Sequence, residues 1–150
     1  MILMKKKWLF WFLPLLIIFL FLHQILSSIS IYFGKCKIDY LYGSKDPKLM
    51  VGCRGLTESI MKNVLHASAF TLGNNIFTYR DSLSENVILH ELGHVYQYKK
   101  LGPLFLPAYG VAQIVAIIDS KIKDYPNIHA GNFFEAWANR LAGLPEENKY

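Results

Sequence analysis

His90-Glu91-Leu92-Gly93-His94 decides how this chain reads, because it sets two imidazoles and a carboxylate into an amphipathic helix. Residues four apart differ by about 40° around a helix axis, so His90 and His94 leave the same face and can grip one ion. Glu91 projects beside them, where it can take a proton from an attacking water. At this composition the pattern arises by chance in roughly one such chain in a hundred or more. The bland alternative is a solvated helix face with two unrelated histidines, and the surroundings argue against it. Ser82-Leu83-Ser84-Glu85 reads as a capping box, and Gly102-Pro103 stops the helix at its other end. Val87, Ile88, Leu92 and Val95 supply an apolar flank. Arg80, Asp81, Glu85, Lys99 and Lys100 place the helix at a water edge and not within lipid.

Two histidines do not complete a catalytic zinc site. A third protein ligand is needed, with a fourth position left for water. Glu135 is best placed, in Asn132-Phe133-Phe134-Glu135-Ala136-Trp137-Ala138-Asn139-Arg140, a short helix ended by Gly143 and Pro145. Its rival role is a cap, since Asn132-x-x-Glu135 is itself a capping box. His129 is the alternative third ligand, and either His129 or Tyr125 could donate a hydrogen bond to an oxyanion. Asn139, one turn after Glu135, can hold the second ring nitrogen of a ligating histidine. Gly93 is expected to let another element pack closely against the motif helix, and His66 to be a packed or capping residue.

Around these helices the pattern predicts an α+β domain. Residues 34–55 read as a strand or two with turns. Thr57 can cap a helix carrying Ile60, Met61, Val64 and Leu65. Ala69–Leu72 and Ile76–Tyr79, joined by Gly73-Asn74-Asn75, read as a hairpin. From Leu101 to Ile118 runs an apolar stretch interrupted by Pro103, Pro107 and Gly110. If Glu135 joins His90 and His94, all three lie on one side of any membrane, so residues 101–118 form a core helix or an interfacial or re-entrant segment and not a single crossing.

The N-terminus is different in kind. Lys5-Lys6-Lys7 precedes fifteen uncharged residues, Trp8 to Leu22, and Ile25 to Phe33 continues the apolar character. This is long enough to span a bilayer core of about 30 Å, with Trp8, Trp11 and Tyr32 suited to its interfaces. A cleaved signal is the rival, on the strength of Ser27, Ser28 and Ser30. A retained anchor over residues 1–33 is the expectation, followed by one domain over 34–150; Lys5–Lys7 favour an outward-facing domain, although Lys35, Lys37, Lys45 and Lys48 after the span nearly cancel that bias. The net charge of +5 sits mostly beside the apolar stretch, so it suits a lipid surface and excludes a nucleic-acid stripe. Cys36 and Cys53 could form one disulfide outside the cytoplasm; their spacing does not suit a zinc site.

On these residues the chain resembles a gluzincin, a zinc metallopeptidase with HExxH and a downstream glutamate ligand. Glu135-x-x-Ala138-Asn139-Arg140 is similar to the E-x-x-A-D segment of CAAX-prenyl endopeptidases, with Asn139 in place of the usual Asp. Ala69-Phe70-Thr71-Leu72-Gly73-Asn74-Asn75-Ile76-Phe77, followed by Ile88-Leu89-His90-Glu91-Leu92-Gly93-His94-Val95-Tyr96-Gln97, resembles the small metallopeptidase-like core domain associated with extracellular contractile injection systems. The resemblance implies a minimal zincin-like fold, a hairpin and two helices behind the anchor. It also implies one Zn2+ on His90, His94 and Glu135, with Glu91 as general base in peptide-bond hydrolysis. Partners would be a peptide or protein substrate and membrane lipid. The alternative is a catalytically silent module of the same fold, acting in binding or assembly.

Overall fold

The computed structural model describes residues 25–43, 46–124 and 131–145. Among them, the elements run α1 (Ile25–Gly34), β1 (Lys37–Tyr40), β2 (Lys48–Val51), α2 (Leu56–Ile60), β3 (Ala69–Leu72), β4 (Asn75–Thr78), α3 (Glu85–Leu101), α4 (Phe105–Lys123) and α5 (Phe133–Ala142). The α+β expectation holds at that level. His129 and Tyr125 lie outside the described residues, as does most of the expected anchor over 1–33.

The strands form one mixed sheet in the order β1-β2-β4-β3. β1 and β2 are antiparallel, β2 and β4 run parallel from Lys48 opposite Asn75, and β3 and β4 form the expected hairpin. Gly73 supplies the positive φ that its tight turn requires. Strand alternation sends side chains to two faces. Leu49, Val51 and Ile76 point to one face, where Ile88, Leu92 and Val95 of α3 pack at helical spacing. Met50, Phe77 and Leu72 point to the other, together with Cys53 and Phe70, whose ring stacks on Phe77 at 5.1 Å.

Local capping departs from the sequence expectation at two helices. α3 starts at Glu85 with Ser84 as N-cap, and no side chain caps it, so the Ser82–Glu85 box does not form. Thr57 lies inside α2 and not at its cap; its hydroxyl donates to the Ser30 carbonyl of α1 at 3.1 Å. Ser27 is buried and its hydroxyl accepts from the Asn75 amide at 2.7 Å. Ser27 and Ser30, two of the three serines that suggest a signal-peptide end, therefore lie on the face by which α1 docks onto the sheet and α2, while Ser28 is exposed.

Cys36 and Cys53 are joined by a disulfide with a sequence separation of 17. A cross-link closing a loop of that length is worth about 3 kcal/mol. The double variant Cys36→Ser, Cys53→Ser is expected to lose about that much in urea unfolding under non-reducing conditions. An unchanged midpoint would show that the link carries no weight in the fold.

Glu85–Lys123 is a helical run long and apolar enough, by length and composition, to cross a membrane. Its apolar part is α4, because α3 carries Glu85, Lys99 and Lys100 and is packed on the sheet. Residues 101–118 were expected to form a core helix or an interfacial or re-entrant segment, and α4 is too exposed to be a core helix. Val111, Ile114, Val115, Ile118 and Ile122 form an exposed stripe, and only Phe105, Ala116 and Ser120 are buried. Pro107 does not interrupt the helix because it falls in its first turn, where no helical hydrogen bond is lost. A single crossing by α4 is also excluded, since it would part α3 from α5, which pack directly on each other. At Gly93 a Cβ would stand only 2.8 Å from the Ala138 carbonyl oxygen and 2.9 Å from its Cα.

Candidate metal centre

The close approach at Gly93 brings α5 against the motif helix and sets Glu135 opposite His90 and His94. Glu135 Oε2 lies 3.0 Å from His90 Nε2 and 3.5 Å from His94 Nε2, and the two Nε2 atoms are 3.1 Å apart. Ligand atoms of a tetrahedral zinc ion with bonds of about 2.0–2.1 Å stand about 3.3–3.4 Å apart. The triangle therefore has the size of one face of a zinc tetrahedron. Its donor set, two imidazole nitrogens and one carboxylate oxygen, suits that ion as well, so these three residues could hold a metal ion.

Each ligand is oriented by a second contact. His90 Nδ1 meets Asn139 Oδ1 at 2.7 Å, and His94 Nδ1 meets Gln97 Oε1 at 3.0 Å. An amide oxygen only accepts, so each ring carries a proton on Nδ1, and in the neutral ring the Nε2 lone pair would be free to bind an ion. Gln97 is fixed in turn, because its amide nitrogen donates to the Phe134 carbonyl at 2.8 Å. The Tyr109 hydroxyl donates to Glu135 Oε1, which leaves Oε2 for a metal. Asn132 caps α5 alone, accepting from the Phe134 N–H at 2.9 Å, so the carboxylate of Glu135 serves the histidines and Tyr109.

Gln97 and Tyr109 escape sequence reasoning. A glutamine three residues after His94, between Tyr96 and Tyr98, looks like a water-facing residue; full burial reveals its role. Tyr109 sits in an apolar stretch with no ligand spacing to the motif. Gln97→Ala is expected to weaken zinc binding by about 10–100-fold, the usual cost of losing an orienting partner. Competition with a chromophoric chelator would measure it, and parent-like affinity would show that Gln97 orients nothing.

The electrostatics match this arrangement. Burial works against the charged form of His90, yet the hydrogen bond to Glu135 and the charges of Glu91 and Glu135 raise it to about 9. Burial likewise pushes Glu135 up, but hydrogen bonds from His90 and His94, the His94 charge and Tyr109 hold it well below the usual carboxylate range.

Glu91 is buried beside the triad and is no part of it. Its Oε2 accepts from the Thr71 hydroxyl of β3 at 2.6 Å, and Thr71 also reaches the Glu91 carbonyl at 3.3 Å. Burial pushes its carboxyl above the ordinary range, against the opposing pull of His94, Thr71 and His90. A carboxyl so raised is a stronger base than a solvated one.

All four residues open on one cavity of about 700 Å³. Ser68, Ala69, Phe70, Thr71 and Leu72 line it in succession. Alternate residues of a strand point to opposite faces, so consecutive lining means that the cavity runs along the outer edge of β3, which no strand among the described residues pairs.

This α+β fold, with a motif helix and a glutamate helix closing one triad, defines a candidate metal-binding protein. Residues 54–102 match the family model described as the eCIS core domain, about a third of the chain, from the start of α2 to the end of α3. The match includes His90, Glu91 and His94, and the resemblance from Ala69 to Gln97 falls inside it. Glu135 and α5 lie beyond it. No curated protein and no solved structure matches the chain.

Proposed function

We propose that this chain is a membrane-anchored zinc peptidase of the injection-system core type. The observation that carries this is the triangle of His90, His94 and Glu135 with buried Glu91 at its side, all facing one cavity. Structural zinc sites are closed by four protein ligands, whereas the three found among the described residues would leave room for a water and a substrate. A bound zinc ion would supply Lewis acidity, polarising the scissile carbonyl and drawing the pKa of water down to about 7. Glu91 takes the proton of the attacking water and passes it to the leaving amine. Thr71 holds the Glu91 carboxylate in place while it does so. The outer edge of β3 receives the substrate backbone in extended form, because an unpaired strand edge offers a row of peptide hydrogen-bonding groups.

Localisation follows from three features. The apolar stretch within residues 1–33 serves as the anchor, and Lys5–Lys7 favour a cytoplasmic N-terminus. The Cys36–Cys53 disulfide favours an oxidising compartment for the folded domain. The exposed stripe of α4 gives the domain an apolar surface suited to lying on the bilayer, flanked by Lys121 and Lys123.

The test is cleavage of a mixed peptide library by the zinc-loaded full chain in detergent. Cleavage that stops on adding a chelator and returns with zinc is the expected result. A chain that holds zinc and cuts nothing would favour the second reading, a module acting in binding or assembly, which the match to an injection-system core domain supports.

A further inference from the structure

The cavity extends far past the four polar residues at the metal, and its remaining walls differ in chemistry from that end. α2 contributes Ile60 and then, through the π turn Met61–Leu65 that follows it, Leu65. β3 contributes Phe70, the start of α4 contributes Leu106, and α1 contributes Leu26. Among the described residues, no Lys, Arg or Asp lines the cavity, and the carboxylates that do are Glu91 and Glu135. The polar side chains there, Thr57, His66, Ser68 and Asn86, include no Lys, Arg or carboxylate, so a charged substrate side chain away from Glu91 and Glu135 would lose its hydration with little compensation. Large apolar side chains would meet Ile60, Leu65, Phe70, Leu106 and Leu26. The volume of about 700 Å³ is enough for several apolar residues of a peptide.

From this we infer that the site takes extended, uncharged peptide segments rich in large apolar side chains, with Ile60, Leu65, Phe70, Leu106 and Leu26 setting that preference. The inference rests on the peptidase reading of His90, Glu91, His94 and Glu135 and names its substrate class. The outer edge of β3 along the cavity requires a peptide in extended form, which an acyl chain would not exploit. α1, held by Ser27 to Asn75 and by Ser30 to Thr57, makes one wall out of the apolar N-terminal stretch.

The experiment uses the zinc-loaded full chain in lipid nanodiscs and three kinds of hydroxamate. Acetohydroxamate reads the metal alone, a pair of peptide hydroxamates differing only by Leu or Asp reads the cavity, and octanoyl hydroxamate reads an acyl chain. The Leu peptide is expected to bind at least about tenfold tighter than the Asp peptide, the range that filling an apolar pocket gives. In the Ile60→Asp, Leu65→Asp variant, the Leu-to-Asp ratio should fall towards one. Both positions are more than a third exposed, so the fold tolerates the change. Equal affinity for the two peptides in the parent would overturn the inference while leaving the metal reading intact. Octanoyl hydroxamate binding as tightly as the Leu peptide would overturn it in favour of an acyl chain. If acetohydroxamate fails to bind, the metal reading falls, and a benzophenone-bearing Leu peptide without hydroxamate decides the cavity separately. Its cross-linking to the zinc-free parent and not to the double variant supports the inference; equal cross-linking to both overturns it.

Discussion

Glu91→Gln is expected to leave zinc bound and to lower peptide hydrolysis by about 10²–10⁴-fold, the contribution of a positioned general base. Glutamine keeps the shape of the side chain and an oxygen to accept from Thr71 at its 2.6 Å contact, so the site should stay assembled. What is lost is the lone pair that receives the proton. Stability should move the other way. Burial raises the folded pKa of Glu91 above the unfolded value of 4.5, so the folded chain binds more protons than the unfolded one between those values. Stability therefore falls as pH rises through that window, and at neutral pH the buried carboxylate works against folding. Glu91→Gln should melt no lower than the parent at pH 7. A variant that is inactive because it unfolds, or that cleaves as well as the parent, would remove Glu91 from the role assigned to it.

Gly93→Ala carries the second large effect, and it reaches the metal through α5. The added Cβ would stand 2.8–3.0 Å from three atoms of Ala138, two of them backbone, where ordinary contact begins near 3.4 Å. α5 must give way by about 0.5 Å, while metal–ligand distances tolerate about 0.2 Å. Overpacking of this kind costs about 1–3 kcal/mol, set against about 1 kcal/mol gained in helix propensity. The site suffers more than the fold, because Glu135 rides on α5. Zinc affinity should fall by at least about 100-fold while much of the helix content survives. Parent-like zinc binding in Gly93→Ala would mean that the α3–α5 contact does not set the triad.

What can be read from the sequence here is what is local. His90, Glu91 and His94 declare themselves by helical spacing, and Ala69–Thr78 by alternation around a glycine turn. Gly93 is legible because a glycine inside a helix calls for a packing reason. Glu135 and Asn139 are one turn apart on a single short helix, so their pairing as ligand and orienting residue needs only one long-range guess. The rest depends on tertiary contacts that leave no periodic trace. Gln97 acquires its role from the Phe134 carbonyl, 37 residues on, and Tyr109 from Glu135, 26 residues on. The parallel pairing of β2 with β4 places strands together that are separated by a whole helix and strand. Ser27 and Ser30 are ambiguous in sequence for the same reason, since small polar residues after an apolar run look alike whether they mark a cleavage site or a docking face. Ser84 without a side-chain cap shows that packing of α3 on the sheet holds its first turn where local chemistry does not.

Metal content per molecule of the full chain, beside that of Glu135→Ala, tests the central claim most directly. Purified in detergent without chelators, the parent should carry about one zinc ion and the variant far less, because three ligands oriented by Asn139, Gln97 and Tyr109 would be reduced to two. Zinc absent from the parent, or present equally in both, would contradict the site built on His90, His94 and Glu135.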